Sequence, residues 1–224
     1  MPNLQDYRAF LRAGYSLQEL AAAFVRLKLV SPVWTRLKYP LRKRGARVCI
    51  DYSVDIAGAR YIAIGDDSWI QRHAWLVVPL IEMATVEDRP YLSIGKRVQI
   101  GRNTLIAAAN SIEVEDDVLI APRVTIVDSD HHYADGSRPI KDQGISYGEG
   151  SVRIGRGSFI GVGAVILGQR GLTIGAHAVV GAQSVVTSSI PAYSVALGNP
   201  ARVVRTLLGE AAGRASSGWE ARRP

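Results

Sequence analysis

The chain has 224 residues, a hydrophobic share of 47%, a net charge of +7 and one cysteine. That length holds a sizeable core, and a lone thiol excludes an internal disulfide framework and suits a reducing cytoplasm. No apolar run approaches the roughly 20 residues that span a bilayer, and no basic stretch leads into an apolar one as in a secretory leader.

Residues 1–44 read as a helical, basic segment. Tyr7, Phe10 and Leu11 predict a short first helix. Ser16 and Glu19 form an S-x-x-E capping box beside Leu17, Leu20, Phe24 and Leu27, whose spacings of three and four predict an amphipathic second helix. Ser31-Pro32 is expected to end it. Residues 20–50 hold Arg26, Lys28, Arg36, Lys38, Arg42, Lys43, Arg44 and Arg47 with no acid, interleaved with Trp34 and Tyr39. The plain reading is a solvated helix face and linker; the sharper one is contact with an anionic membrane surface or glycolipid, hence a membrane-peripheral position. No nucleic-acid motif accompanies the charge, and no nucleic acid is expected.

Residues 45–204 are organised by a six-residue period. Ile50, Ile56 and Ile62 begin it, then Ile64, Ile70 and Leu76. It runs from Ile94 through Ile100, Ile106, Ile112, Val118 and Val124, and returns at Ile154, Ile160, Ile166, Ile174, Val180 and Val186. Six fits neither a helix nor an ordinary alternating strand. It fits a coil of three short strands, with one aliphatic side chain per hexad pointing inward and Gly at many corners. The expected fold class is an all-β solenoid, a parallel β-helix in which each coil buries its apolar face against the next. Cys49, between Val48 and Ile50, reads as packed. Two stretches interrupt the period: 79–90, with Glu87, Asp88 and Arg89, and 128–151, with His131 and His132. A long polar loop flanked by rigid coils points to function. Ile166 and Ile174 stand eight apart around Gln169-Arg170-Gly171, which predicts a local bulge. Pro200 near a first turn predicts a short C-terminal helix from Ala201, and residues 205–224 read as its end and a fraying tail.

Three segments carry a resemblance: 118–126 leading into Asp128-Ser129-Asp130-His131-His132-Tyr133; 152–161; and 180–187 followed by Ile190-Pro191 and Gly198-Asn199-Pro200-Ala201. Over residues 45–207 the chain resembles the hexapeptide-repeat acyltransferases, in particular the maltose, galactoside and polysaccharide O-acetyltransferases. The resemblance implies a left-handed β-helix, a homotrimer with sites between subunits, acetyl-CoA as acyl donor and no metal. It implies as acceptor a sugar hydroxyl of a cell-surface polysaccharide or its precursor. N-acylation of an amino sugar nucleotide and a non-catalytic assembly role are the alternatives. The N-terminal helices and basic region depart from the maltose and galactoside pattern, which leaves the acceptor unassigned.

Such a transfer needs a base near neutral pH for the hydroxyl and a donor for the oxyanion. His131 and His132 are the candidates. Aligning from Pro122 to the galactoside-type enzymes selects His131, and so does the spacing of Asp128, Asp130, His131 and Tyr133; His132 remains as the alternative base or as an acceptor-orienting group. Asp128 or Asp130 is a carboxylate for fixing the imidazole tautomer. The resemblance lays the donor's pantetheine arm against Gly161, Ala164, Gly181 and Ala182 and its outer end near Asn199 and Pro200, with Arg202 and Arg205 for phosphates. Corner geometry explains Gly161 and Gly181 equally well. His73 and His177 read as surface residues, and no histidines are spaced as a zinc set.

Overall fold

The computed structural model describes residues 16, 18, 21, 22, 25, 31–79, 86–146 and 148–207. Most of the expected first two helices, with Tyr7, Phe10, Leu11, Leu17, Glu19, Leu20, Phe24 and Leu27, lies outside these. Gln18, Ala21, Ala22 and Val25 are helical. The expected end of the second helix lies outside the described residues, and Ser31-Pro32 opens a helix, α1 (Ser31–Lys38). Proline fits there because first-turn N–H groups lack intrahelical partners in any case.

Beyond α1 the chain winds through three sheets in rotation. The first coil holds β1 (Lys43–Arg44), β2 (Cys49–Ile50) and β3 (Asp55–Ala57); the second β4 (Ile62–Ile64), β5 (Trp69–Ile70) and β6 (Trp75–Val77). The third holds β7 (Leu92–Ile94), β8 (Gln99–Ile100) and β9 (Leu105–Ala107); the fourth β10 (Ile112–Val114), β11 (Leu119–Ile120) and β12 (Thr125–Val127). The fifth holds β13 (Val152–Ile154), β14 (Phe159–Ile160) and β15 (Val165–Leu167); the sixth β16 (Leu172–Ile174), β17 (Val179–Val180) and β18 (Val185–Val186). Face A is β1-β4-β7-β10-β13-β16, face B is β2-β5-β8-β11-β14-β17 and face C is β3-β6-β9-β12-β15-β18, every pair among them parallel. The winding begins at Lys43, within the segment read as a linker.

The register sharpens the period. Leu92 pairs with Ile112 and Ile94 with Val114, so a coil is 20 residues long. Buried columns follow: Ile64, Ile94, Val114, Ile154 and Ile174 on face A; Ile70, Ile100, Ile120, Ile160 and Val180 on face B; Leu76, Ile106, Ile126, Ile166 and Val186 on face C. The run from Ile94 to Val124 therefore crosses between two sets, since Ile112, Val118 and Val124 are buried two residues ahead of Val114, Ile120 and Ile126. Each coil steps six, six and eight. The eight-residue step from Ile166 to Ile174, expected as a local bulge, is the regular C–A corner, repeated from Ile56 to Ile64 and from Ile106 to Val114. The extra length gives the face A strands from β4 onward two inward positions each, such as Leu92 and Ile94.

The A–B corner places one residue per coil in the left-handed region, Arg47, Asp67, Arg97, Asp117, Gly157 and His177, and Tyr193 repeats it after the sixth coil. Along the first four of these the charge alternates. Arg47 Nε donates to Asp67 at 2.5 Å and Arg97 Nε to Asp117 at 2.5 Å, and each guanidinium holds its partner's carboxyl below the usual range. Gly157 leaves space filled by the His177 ring, which stacks on Tyr193 at 5.1 Å between centroids. His177 is exposed at this corner, His73 at the B–C corner, and Cys49 is buried.

The expected C-terminal helix is not formed. β19 (Ser194–Gly198) joins face B beside β17, and residues Ala201–Thr206 return antiparallel as β20 after a turn with a cis Asn199–Pro200 bond. Pairing with β19 satisfies the backbone here, and Val203, Val204 and Thr206 suit a strand better than a helix. Among the described residues, no helix is long and apolar enough to cross a membrane.

Column continuity should control stability. Ile120, fully buried between Ile100 and Ile160, is expected to cost about 2–5 kcal/mol when replaced by Ala, read as the shift in urea unfolding midpoint.

Candidate active site

Both interruptions enter at the same edge of the prism. Residues 79–90 lie between β6 and β7 and residues 128–151 between β12 and β13, each at the C–A corner. Between them in the stack sits the uninterrupted corner Ala108-Ala109-Asn110-Ser111. Asp128 is wholly buried against it. One carboxylate oxygen accepts the Ala109 N–H at 2.8 Å; the other accepts those of Asn110 at 2.9 Å and Ser111 at 2.6 Å. Burial pushes this carboxyl above its ordinary range, while the three N–H groups favour the charged form and oppose the shift.

Asn110 ties the loop to this corner. Its Nδ2 donates to the Asp128 carbonyl at 2.9 Å and the Ser146 carbonyl at 3.4 Å, and its Oδ1 accepts the Gly148 N–H at 2.6 Å. Arg89, from the other interruption, donates to the Asn110 carbonyl at 2.9 Å and lies over the Tyr91 ring at 4.2 Å. At Gly150 the returning chain passes so close that a Cβ would stand 1.6 Å from the Asp128 carbonyl oxygen. Both ends of the loop are thereby held at one point.

The histidines are carried on the pinned segment. His131 bridges Ile145 in antiparallel fashion, the His132 N–H donates to the Gly144 carbonyl at 3.0 Å, and the Ser146 N–H donates to the Asp130 carbonyl at 2.8 Å. Farther out, Gln143 Nε2 donates to the carbonyls of Asp135 at 2.8 Å and Arg138 at 2.9 Å. His131 and His132 are both exposed. The Asp130 carboxylate accepts the backbone N–H of His131 at 2.8 Å. The tautomer-fixing role expected of Asp128 or Asp130 is not what the structure holds, because Asp128 serves the corner backbone and Asp130 serves the loop backbone.

The residues expected to meet the donor separate into two groups. Ala164 is fully buried inside the prism and offers nothing to an outer ligand. Gly161 is buried, with a Cβ there only 2.6 Å from the Ala182 nitrogen, and one at Gly181 would reach a Leu197 methyl at 2.0 Å. Stacking of coils thus requires glycine at 161, where the next coil's backbone fills the place, whereas at 181 a shift of the Leu197 side chain would make room. Ala182, Asn199, Pro200, Arg202 and Arg205 are exposed. The Gly198 N–H donates to Ser184 Oγ at 3.1 Å and brings the Asn199-Pro200 turn to the B–C corner beside Ala182. Arg202 Nη1 donates to the Ala201 carbonyl at 2.9 Å. Within one chain these residues and the histidine loop belong to different edges, with face C between them.

Sequence reasoning missed Asn110, Arg89 and Gly150. The available signal was that both interruptions replace the same eight-residue step, which makes the corner between them a shared anchor. Asp128→Ala strands the buried N–H donors of Ala109 and Asn110 and frees that of Ser111, and should destabilise the protein by on the order of 3 kcal/mol in urea unfolding. Asn110→Ala should cost less and leave residues 128–151 selectively open to limited proteolysis.

Residues 151–201 match the family model described as the hexapeptide repeat of succinyl-transferase. A probable acetyltransferase of Mycobacterium tuberculosis is 39% identical over 146 residues, which are 65% of this chain and 42% of that protein. Galactoside O-acetyltransferase of Escherichia coli is 35% identical over 132 residues, 56% of this chain and 62% of that protein. The chain thus spans less than two thirds of either relative. Among solved structures, the N-acyltransferase AntD from Bacillus cereus, in complex with dTDP and 3-hydroxybutyryl-CoA, aligns with a TM-score of 0.63 at 17% identity over 86% of this chain and 99% of its own, a likeness of fold. A galactoside acetyltransferase in complex with coenzyme A aligns with a TM-score of 0.52 at 27% identity over 69% of this chain and 66% of its own. Repeat, three-sided winding and relatives agree in their likeness to the hexapeptide-repeat acyltransferases.

Proposed function

We propose that this chain is an acetyl-CoA-dependent O-acetyltransferase acting on a sugar hydroxyl of a cell-surface polysaccharide or its precursor. The observation that carries the reading is an exposed His131 on a loop pinned at both ends to a rigid corner through Asn110 and Asp128. A base must hold its position relative to a reacting hydroxyl, and a pinned loop supplies that. In the proposed reaction the neutral imidazole of His131 takes the proton of the acceptor hydroxyl as its oxygen attacks the thioester carbonyl. The tetrahedral oxyanion collapses, the carbon–sulfur bond breaks, and the imidazolium returns the proton to the departing thiolate. His132 orients the acceptor, and Asp130 fixes the loop backbone beneath His131.

Coenzyme A is assigned to the B–C edge, where Ala182, Asn199 and Pro200 offer an open surface and Arg202 suits its phosphates, with Arg205 farther back along β20 opposite Val195. Gly161 serves that edge by letting the coils close up, and Gly181 leaves room there for the Leu197 side chain. This separation of donor edge from histidine loop favours a homotrimer, in which one chain's loop meets a neighbour's edge. The outward rows support association. Face B carries Leu119, Phe159 and Val179, and face C carries Trp75, Leu105 and Val165, whereas face A carries Ser93, Glu113, Arg153 and Thr173. Leu119 and Phe159 are 44% and 37% exposed in the single chain, unusual for neighbouring large apolar side chains. The left-handed winding and a cytoplasmic setting, in keeping with the single buried thiol, complete the reading.

Acetyl-CoA consumption against a panel of glycan precursors, with mass spectrometry of the products, tests it. His131→Ala should lower kcat by about 10²–10⁴-fold with little change in KM for acetyl-CoA. Unchanged turnover on losing both histidines overturns the base assignment, and a preferred N-acetylated amino sugar product replaces the hydroxyl acceptor. Phe159→Arg is expected to dissociate the assembly in sedimentation velocity and to abolish turnover while each chain stays folded by circular dichroism.

A further inference from the structure

Helix α1 turns its apolar residues outward. Among its described side chains the enclosed one is Thr35, at 0% exposure, and Tyr39 just past its end is also buried. Successive helical residues advance by about 100°, which sets Leu37 opposite these two with Val33 and Trp34 on either side. Leu37, Val33 and Trp34 are 81%, 61% and 51% exposed. The orientation is fixed from beneath. Arg44 Nη2 donates to Thr35 Oγ1 at 3.1 Å, and the Tyr39 hydroxyl donates to the Val54 carbonyl at 2.9 Å. The ridge cannot roll inward without breaking both.

Charge selects what meets the ridge. Arg36 and Lys38 flank it and are exposed, as is Lys43 on β1, in a stretch, 20–50, without an acid. Two carboxylates lie at this end: Asp88 pairs with Arg42 at 2.6 Å, and Asp55 faces Lys38 and accepts from the Tyr39 hydroxyl at 3.4 Å. Narrow apolar ridges rimmed by cations and bearing a Trp match the boundary between acyl chains and anionic headgroups. We propose that α1 is a docking element for an anionic lipid surface, with Trp34 and Leu37 entering the acyl boundary and Arg36, Lys38 and Lys43 on the headgroups. The element packs on β2 of the first coil, whereas the histidine loop leaves after the fourth, so docking is separate from the transfer chemistry.

The full-length protein is sedimented with phosphatidylcholine vesicles, with and without phosphatidylserine, at low and raised salt. Binding is expected only with phosphatidylserine, and salt should weaken it. Arg36→Glu and Lys38→Glu should each lower partitioning by at least about fivefold. Trp34→Ser with Leu37→Ser should remove quenching of tryptophan fluorescence by brominated lipid and leave acetyl-CoA turnover as it was. Leu37→Ser alone, at the most exposed position, keeps the test valid if the double variant unfolds in a thermal melt. Three results overturn the proposal: no binding to the anionic vesicles, binding unaffected by all four substitutions, or a change of oligomeric mass on altering Leu37, which would give the ridge to a second copy of the chain.

Discussion

In-register stacking of one coil on the next is the constraint from which the rest of this molecule follows. A single coil has too little interior to bury its own aliphatic residues, so each of Ile100, Ile120 and Ile160 is shielded by the others. Stacking demands the same perimeter from one coil to the next, close passage at corners and continuity along every column. Those demands account for the glycine at 161, where the next coil's backbone occupies the place of a side chain. They also explain why extra chain is admitted where it is. An insertion within a strand would break a column, whereas one at the longest corner leaves all three columns intact.

The candidate site uses that tolerance. The loop bearing His131 and His132 leaves at a C–A corner and would be a loose excursion if only its covalent ends held it. Buried hydrogen bonds from Asp128 and Asn110 convert the uninterrupted corner of the preceding coil into a clamp. A buried carboxylate facing three N–H groups is costly to remove because the buried donors among them are then left without water or partner. Rigidity of the coil is thus transmitted to a side chain that lies outside it.

Much of this was legible in the sequence, and the failures have physical causes. The aliphatic spacing revealed a parallel β-helix because inward positions cannot vary without loss of packing. It misread the coil length, because Ile112 and Val114 both point inward and a run of sixes passes through either set. It made the eight-residue step after Ile166 an irregularity, since a corner's regularity is visible only once strands are paired. Residues 201–206 were misjudged because helix signals at Pro200 are local, whereas pairing with β19 is not. At the site, the histidine loop stood out by composition. Asn110 did not, because a polar residue in a corner is ordinary until two distant segments are found converging on it. Ala164 was misassigned because small residues look alike in sequence whether they face a ligand or the interior.

The ladder at the A–B corner has a bearing on how a chain of this kind can change length. Arg47, Asp67, Arg97 and Asp117 occupy equivalent places in successive coils. Duplicating or deleting one coil within this stretch would keep every aliphatic column in register, yet would set two arginines or two aspartates against each other. Like charges directly opposite are unfavourable. Adding or removing coils in pairs would restore alternation. A corner that contributes modestly to stability therefore distinguishes odd from even, and gives an otherwise repetitive stack a memory of which coil belongs beside which.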